Sequence, residues 1–162
     1  MYVSRYDNSF HRSDNALAGA PTWTNLTGNL PIGNEPVDIE IDPADPTHVF
    51  IALNNNIYES TNSGGSWTDI SGTLPNISLN TIIIDSTSPL DAMYVGMDVG
   101  VYYRDNSMSD WVSYSNGFPN LEVSELEIRH DNNNCQSKMY AATYGQGLWI
   151  SDLKDPGNTG PA

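Results

Sequence analysis

The chain has 162 residues, enough for one domain with a sizeable core, and its 20 acidic against 6 basic residues give a net charge of −14. That surplus repels phosphate backbones and anionic headgroups, so neither nucleic acid nor a membrane surface is expected as a partner. No run approaches the ~20 apolar residues of a membrane-spanning helix, and a single cysteine, Cys135, leaves no internal disulfide and no Cys-based zinc site.

Taken in order, the chain reads as short strands broken by turn residues. Met1-Tyr2-Val3-Ser4-Arg5 lacks the apolar core of a signal peptide, so an export signal is expected upstream of this sequence. Strands are expected at residues 2–4, 10–13 and 22–26. Val37, Ile39 and Ile41 then alternate with Asp38 and Glu40, the period-2 pattern of a strand. Asp42-Pro43-Ala44-Asp45-Pro46 cannot continue a ladder and must turn. Residues 48–53 form the next apolar run, and Asn54-Asn55-Asn56 suits a tight hairpin because Asn tolerates positive φ. Strands at 57–60 and 67–70 complete this unit, and 81–85, 92–97, 101–104 and 111–114 repeat it. The last strands are expected at 123–128, 138–143 and 148–152. No segment carries the 3.6-residue apolar period of a helix.

One period underlies the order. Trp23, Trp67 and Trp111 stand 44 residues apart, and so do Leu30-Pro31, Leu74-Pro75 and Phe118-Pro119. Four short antiparallel strands per ~40–50 residues make one blade of a β-propeller, whose sheets cover each other's faces by radial stacking. A β-sandwich also has closely spaced strands but gives no reason for a fixed period. The fold class expected is therefore all-β, a run of about three and a half propeller blades. The divisions are a partial blade at 1–31, full blades at 32–75 and 76–119, a closing blade at 120–153, and a flexible tail at 154–162. Because a propeller needs roughly four to eight blades to close, the expected partners are the remaining blades of a longer chain or a second copy of this one.

The segment Ser60-Thr61-Asn62-Ser63-Gly64-Gly65-Ser66-Trp67 resembles the Asp-box, or bacterial neuraminidase repeat, of pattern Ser-x-Asp-x-Gly-x-x-Trp, with Asn62 in place of Asp. Asp105 and Trp111 belong to a degenerate copy without the glycine, and Asp14 and Trp23 to another with a lengthened turn. The resemblance spans residues 9–153 and implies structural roles: Asn or Asp caps its own turn, Gly64 supplies a backbone closed to other residues, and the Trp pins the hairpin between blades. Ala141-Ala142-Thr143-Tyr144-Gly145-Gln146-Gly147-Leu148-Trp149 resembles the closing blade of secreted Bacteroidetes-type propellers, which implies a secreted or cell-surface location.

Such propellers include sialidases, xyloglucan-active hydrolases and sortilin-like receptors, and each implies its own residues. A sialidase would need three converging arginines; Arg5, Arg12, Arg104 and Arg129 are the only ones, and Arg12 and Arg104 fall beside the Asp-box turns. A glycoside hydrolase needs two carboxylates about 5–10 Å apart. Asp38, Glu40, Glu125 and Glu127 lie on the strands expected to be innermost, where alternating acids also serve as ordinary solvated positions. His11, His48 and His130 lack metal-ligand spacing, and Cys135 has no partner histidine, so no catalytic residue, metal or cofactor is assigned. Tyr144, Glu125 and Glu127 remain as candidate ligand contacts. The reading favoured is a non-catalytic extracellular module that binds carbohydrate or protein; the other is part of a glycoside hydrolase whose catalytic carboxylates lie mostly elsewhere.

Overall fold

The computed structural model describes residues 1–114, 117–130 and 137–154. Cys135, the polar turn at 131–134 and the tail from 155 onward lie outside the described residues. The chain divides into two compact units, Met1–Ile70 and the part from Ser71 onward.

In the first unit, β1 (Tyr2–Arg5), β2 (Ser9–Arg12) and β3 (Thr24–Asn25) make one antiparallel sheet, and β4 (Asp38–Ile41), β5 (Val49–Leu53), β6 (Asn56–Ser60) and β7 (Thr68–Asp69) make another. In the second, β8 (Leu79–Ile84), β9 (Met93–Met97), β10 (Gly100–Arg104) and β11 (Val112–Ser113) form a four-stranded sheet; β12 (Val123–Arg129), β13 (Lys138–Thr143) and β14 (Gly147–Asp152) form a three-stranded one. Within each sheet every strand pairs with its neighbours in sequence, so each is a simple meander.

The pattern of residues explains the ladders. Val49–Leu53 and Met93–Met97 are apolar throughout, and all five residues of each strand are buried, as a middle strand covered on both faces requires. Turns fall where the backbone permits them, at Asn54 with φ 56° and Gly100 with φ 106°. The core of the first unit joins Phe10, Leu26, Ile51, Leu53 and Tyr58, with Leu30 and Trp67 packed against it. That of the second includes Tyr94, Val101, Tyr103, Val123, Leu126 and Met139.

Two expectations are corrected. The outermost strands are ladders of only two residues, Thr24–Asn25, Thr68–Asp69 and Val112–Ser113, each beginning one residue after the tryptophan. Trp23 does not bury its ring: it is 43% exposed, whereas Trp111 is 5% exposed. Trp67 packs on Phe10 of the neighbouring sheet at 6.2 Å, but among the described residues of the first unit no further sheet lies beyond β1–β3 to receive Trp23.

Candidate functional site

The turns between third and fourth strands are structural clamps. Ser60 Oγ, buried, accepts the N–H groups of Gly64 at 2.8 Å and Asn62 at 3.4 Å and donates to Asn62 Oδ1 at 3.0 Å. Asn62 Oδ1 also accepts the N–H of Ser66 at 2.8 Å, closing the loop. Gly64 has φ +81°, and a Cβ there would lie 3.1 Å from Leu26 and 3.4 Å from the Trp67 ring. The loop's carbonyls are taken by the neighbouring sheet: Arg12 Nη1 donates to Ser63 O at 3.2 Å and Asn29 Nδ2 to Gly64 O at 3.2 Å.

The other two turns differ from expectation. In the first sheet the loop is closed by Asn15, whose Oδ1 accepts from Ser13 Oγ at 3.2 Å and from the N–H of Thr22 at 2.8 Å. Ser13, Asn15 and Thr22 thus repeat Ser60, Asn62 and Ser66. Asp14, one residue out of that frame, is exposed and pairs with Arg12 at 2.8 Å. In the third sheet Asp105 accepts the N–H of Ser107 at 2.8 Å and reaches into the core to accept the Tyr103 hydroxyl at 2.5 Å. Burial alone would raise the Asp105 carboxyl, but hydrogen bonds from Ser107 and Tyr103 outweigh it and hold its pKa below the ordinary value. Burial pushes the Tyr94 and Tyr103 phenols well above theirs, with Asp105 adding to the effect at Tyr103.

A different end of the sheets in the second unit carries the exposed polar groups. Both first strands are bulged at matching places, between Leu79 and Thr81 on β8 and between Val123 and Glu125 on β12. Bulges re-aim side chains and often sit beside binding sites. Here Asn80 Nδ2 donates to Asp98 Oδ1 at 3.0 Å and to the Val123 carbonyl at 3.1 Å, and Thr81 Oγ1 donates to Glu125 Oε1 at 3.3 Å. The β13–β14 hairpin, turned by Gly145 and Gly147 at φ 80° and 75°, is held at this end by the Tyr144 N–H on Glu122 O at 3.0 Å. The Tyr144 ring is 77% exposed.

The three candidate contacts are therefore placed as follows. Tyr144 is open to solvent beside Glu122; Glu125 is exposed and bonded to Thr81; Glu127 is exposed further along the same face of β12. Asn80 and Asp98 were missed by sequence reasoning. A repeated bulge leaves no mark in a strand's alternation, although the 44-residue match of Leu79 with Val123 was a usable signal. This end is opposite the clamp loops, because the hairpin from second to third strand and the loop from third to fourth leave the third strand at its two ends. Among the described residues no three His, Cys, Asp or Glu side chains converge as metal ligands.

No family model matches the sequence, and no curated protein matches it. Solved structures do match. The GH74 xyloglucanase from Xanthomonas campestris superposes with TM-score 0.61 and 15% identity over 89% of this chain and 25% of that one. The GH74 enzyme from Niastella koreensis gives 0.62 and 16% over 91% and 21%, and an ancestral GH74 enzyme 0.52 and 11% over 93% and 25%. The chain thus spans about a quarter or less of the lengths of these enzymes. Identities this low carry the fold alone: the chain is all-β, and its sheets are blades of the β-propeller type.

Proposed function

We propose that these blades belong to an exported Asp-box propeller and bind a neutral polysaccharide through the bulged end of the second unit. The observation that carries this reading is the exposed Tyr144 ring, on a hairpin tied to Glu122 O, at the same end of the second unit as the hydrogen-bonded polar row of Asn80, Asp98 and Glu125. An aromatic face stacks on the apolar face of a sugar ring, and fixed polar groups beside it bind hydroxyls. A net charge of −14 opposes uronate- or sulfate-bearing chains and leaves neutral glycans as the fitting class. The likeness to GH74 enzymes supports the same class. The remaining blades of a larger ring, or a second copy, would complete the groove.

A second reading, that the blades are part of a glycoside hydrolase, is favoured by the fact that all three neighbours described are GH74 enzymes. Affinity electrophoresis in gels containing xyloglucan tests the first reading, with polygalacturonate as the charged control. Retardation by the neutral polymer, weakened about tenfold in a Tyr144→Ala variant, is expected. Equal mobility with and without xyloglucan would defeat it. Release of reducing ends from xyloglucan by these blades joined to the rest of their ring would establish the second.

A further inference from the structure

Tyr6 and Tyr144 are 98% and 77% exposed, whereas each of the other tyrosines is buried or half-buried. The two occupy one position in the fold. Arg5 pairs with Ser9 across the β1–β2 ladder and Thr143 with Gly147 across β13–β14, so each hairpin has a three-residue loop that opens with the tyrosine. The corresponding hairpins of the two four-stranded sheets have two-residue loops instead, Asn54-Asn55 and Asp98-Val99, without an aromatic residue. One exposed ring is ordinary on a protein surface. The same ring at the same register position of two separate sheets, belonging to neither core, points to a shared role outside the fold.

The Tyr6 loop is fixed by its own hydrogen bonds. Asn8, at φ 62°, donates its N–H to Arg5 O at 2.8 Å, and the N–H of Ser9 donates to Asp7 Oδ1 at 3.1 Å. Arg5 Nη1 lies 3.9 Å from Asp7 Oδ2, so the charges at this hairpin offset one another. The first unit also has its own polar pair. Asn34 Nδ2 donates to Asn54 Oδ1 at 2.9 Å, repeating the bond from Asn80 to Asp98, which stands 44 residues after Asn54. Asn34 and Asn54 are both exposed.

Both features lie at one end of the first unit. Arg12, at the end of β2, bonds Ser63 O in the clamp loop that follows β6, which brings the clamp ends of the two sheets together. The β1–β2 and β5–β6 hairpins stand at the other ends of those same strands. There Ser4 Oγ donates to Pro36 O at 3.4 Å, tying β1 to the segment that carries Asn34.

We propose, on the neutral-glycan reading of the second unit, that this end of the first unit is a second sugar subsite. The Tyr6 ring supplies the stacking face, and the exposed side chains of Arg5, Asn34 and Asn54 supply donors and acceptors for hydroxyls. The internally offset charges of Arg5 and Asp7 suit an uncharged ligand.

The test titrates the full chain, labelled with ¹⁵N, with a xyloglucan oligosaccharide, in the parent and in Tyr144→Ala and Tyr6→Ala variants. Saturable amide shifts are expected at residues 5–9 and at the Asn34 and Asn54 side chains, in the parent and in Tyr144→Ala alike. Tyr6→Ala should weaken those shifts at least about tenfold and leave those around Tyr144 in place. Shifts around Tyr144 with none at residues 5–9 would overturn the second subsite while the reading of the second unit stands. Shifts at neither place would overturn both. Shifts at residues 5–9 that persist unchanged in Tyr6→Ala would also overturn the subsite, since the ring would then bind nothing.

Discussion

Gly96 on β9 leaves a gap that Val123 of the next sheet fills: a Cβ at Gly96 would lie 2.7 Å from Val123 Cγ1 and 2.7 Å from Thr81 Cγ2. Val123 is fully buried and Thr81 nearly so, and both flank the bulges that shape the candidate site. Gly96→Ala is therefore expected to destabilise the chain by about 1–3 kcal/mol through overpacking. Urea denaturation checks this, and Gly96→Ala combined with Val123→Ala should cost less than the two single changes added, because the second relieves the clash caused by the first.

The clamp turns predict an ordered series. Ser60→Ala strands the buried Gly64 N–H and is expected to cost about 1–3 kcal/mol. Asn15→Ala should cost about 1 kcal/mol by opening the first-sheet loop, while Asp14→Ala should fall within about 0.5 kcal/mol of the parent. A larger loss at Asp14 than at Asn15 in thermal melts would contradict the frame described above.

Alkaline stability follows from the buried phenols. Tyr94 and Tyr103 favour the neutral form in the folded chain, with raised pKa values, and both ionise near pH 10 once unfolded. Their contribution is complete below about pH 10 and is lost as pH rises toward the folded-state values. Phenolate absorbance should show these two tyrosines ionising only as the fold is lost.

Asp105 acts at the other end of the scale. Its lowered pKa means that its contribution is present above about pH 4 and is lost as pH falls through the folded-state value. Asp105→Asn should destabilise the chain by about 1–3 kcal/mol at neutral pH, with the difference shrinking in acid. Chemical denaturation at a series of pH values reads both.

Tyr144→Ala removes an exposed ring and should move stability by less than about 0.5 kcal/mol. A loss of glycan retardation in that variant with an unchanged melting temperature separates binding from folding.

The sequence by itself determined the local structure. Alternation, Asn and Gly turns and the 44-residue spacing placed strands in sheets of three, four, four and three, because strand formation and turning depend on neighbours a few residues apart. It also marked Ser60, Asn62, Gly64 and Trp67 as one clamp, since that loop satisfies its hydrogen bonds largely within itself. Only the tertiary structure decided which tryptophans bury their rings. Trp23 and Trp67 both head a Trp-x-x-apolar segment, yet Trp67 packs on Phe10 of a neighbouring sheet while Trp23 is 43% exposed. It likewise decided that Asn15 rather than Asp14 closes the lengthened turn and that Asn80 joins Asp98 to Val123. Each of these depends on contacts between residues far apart in the chain, where packing and hydrogen-bond geometry, not local pattern, set the outcome.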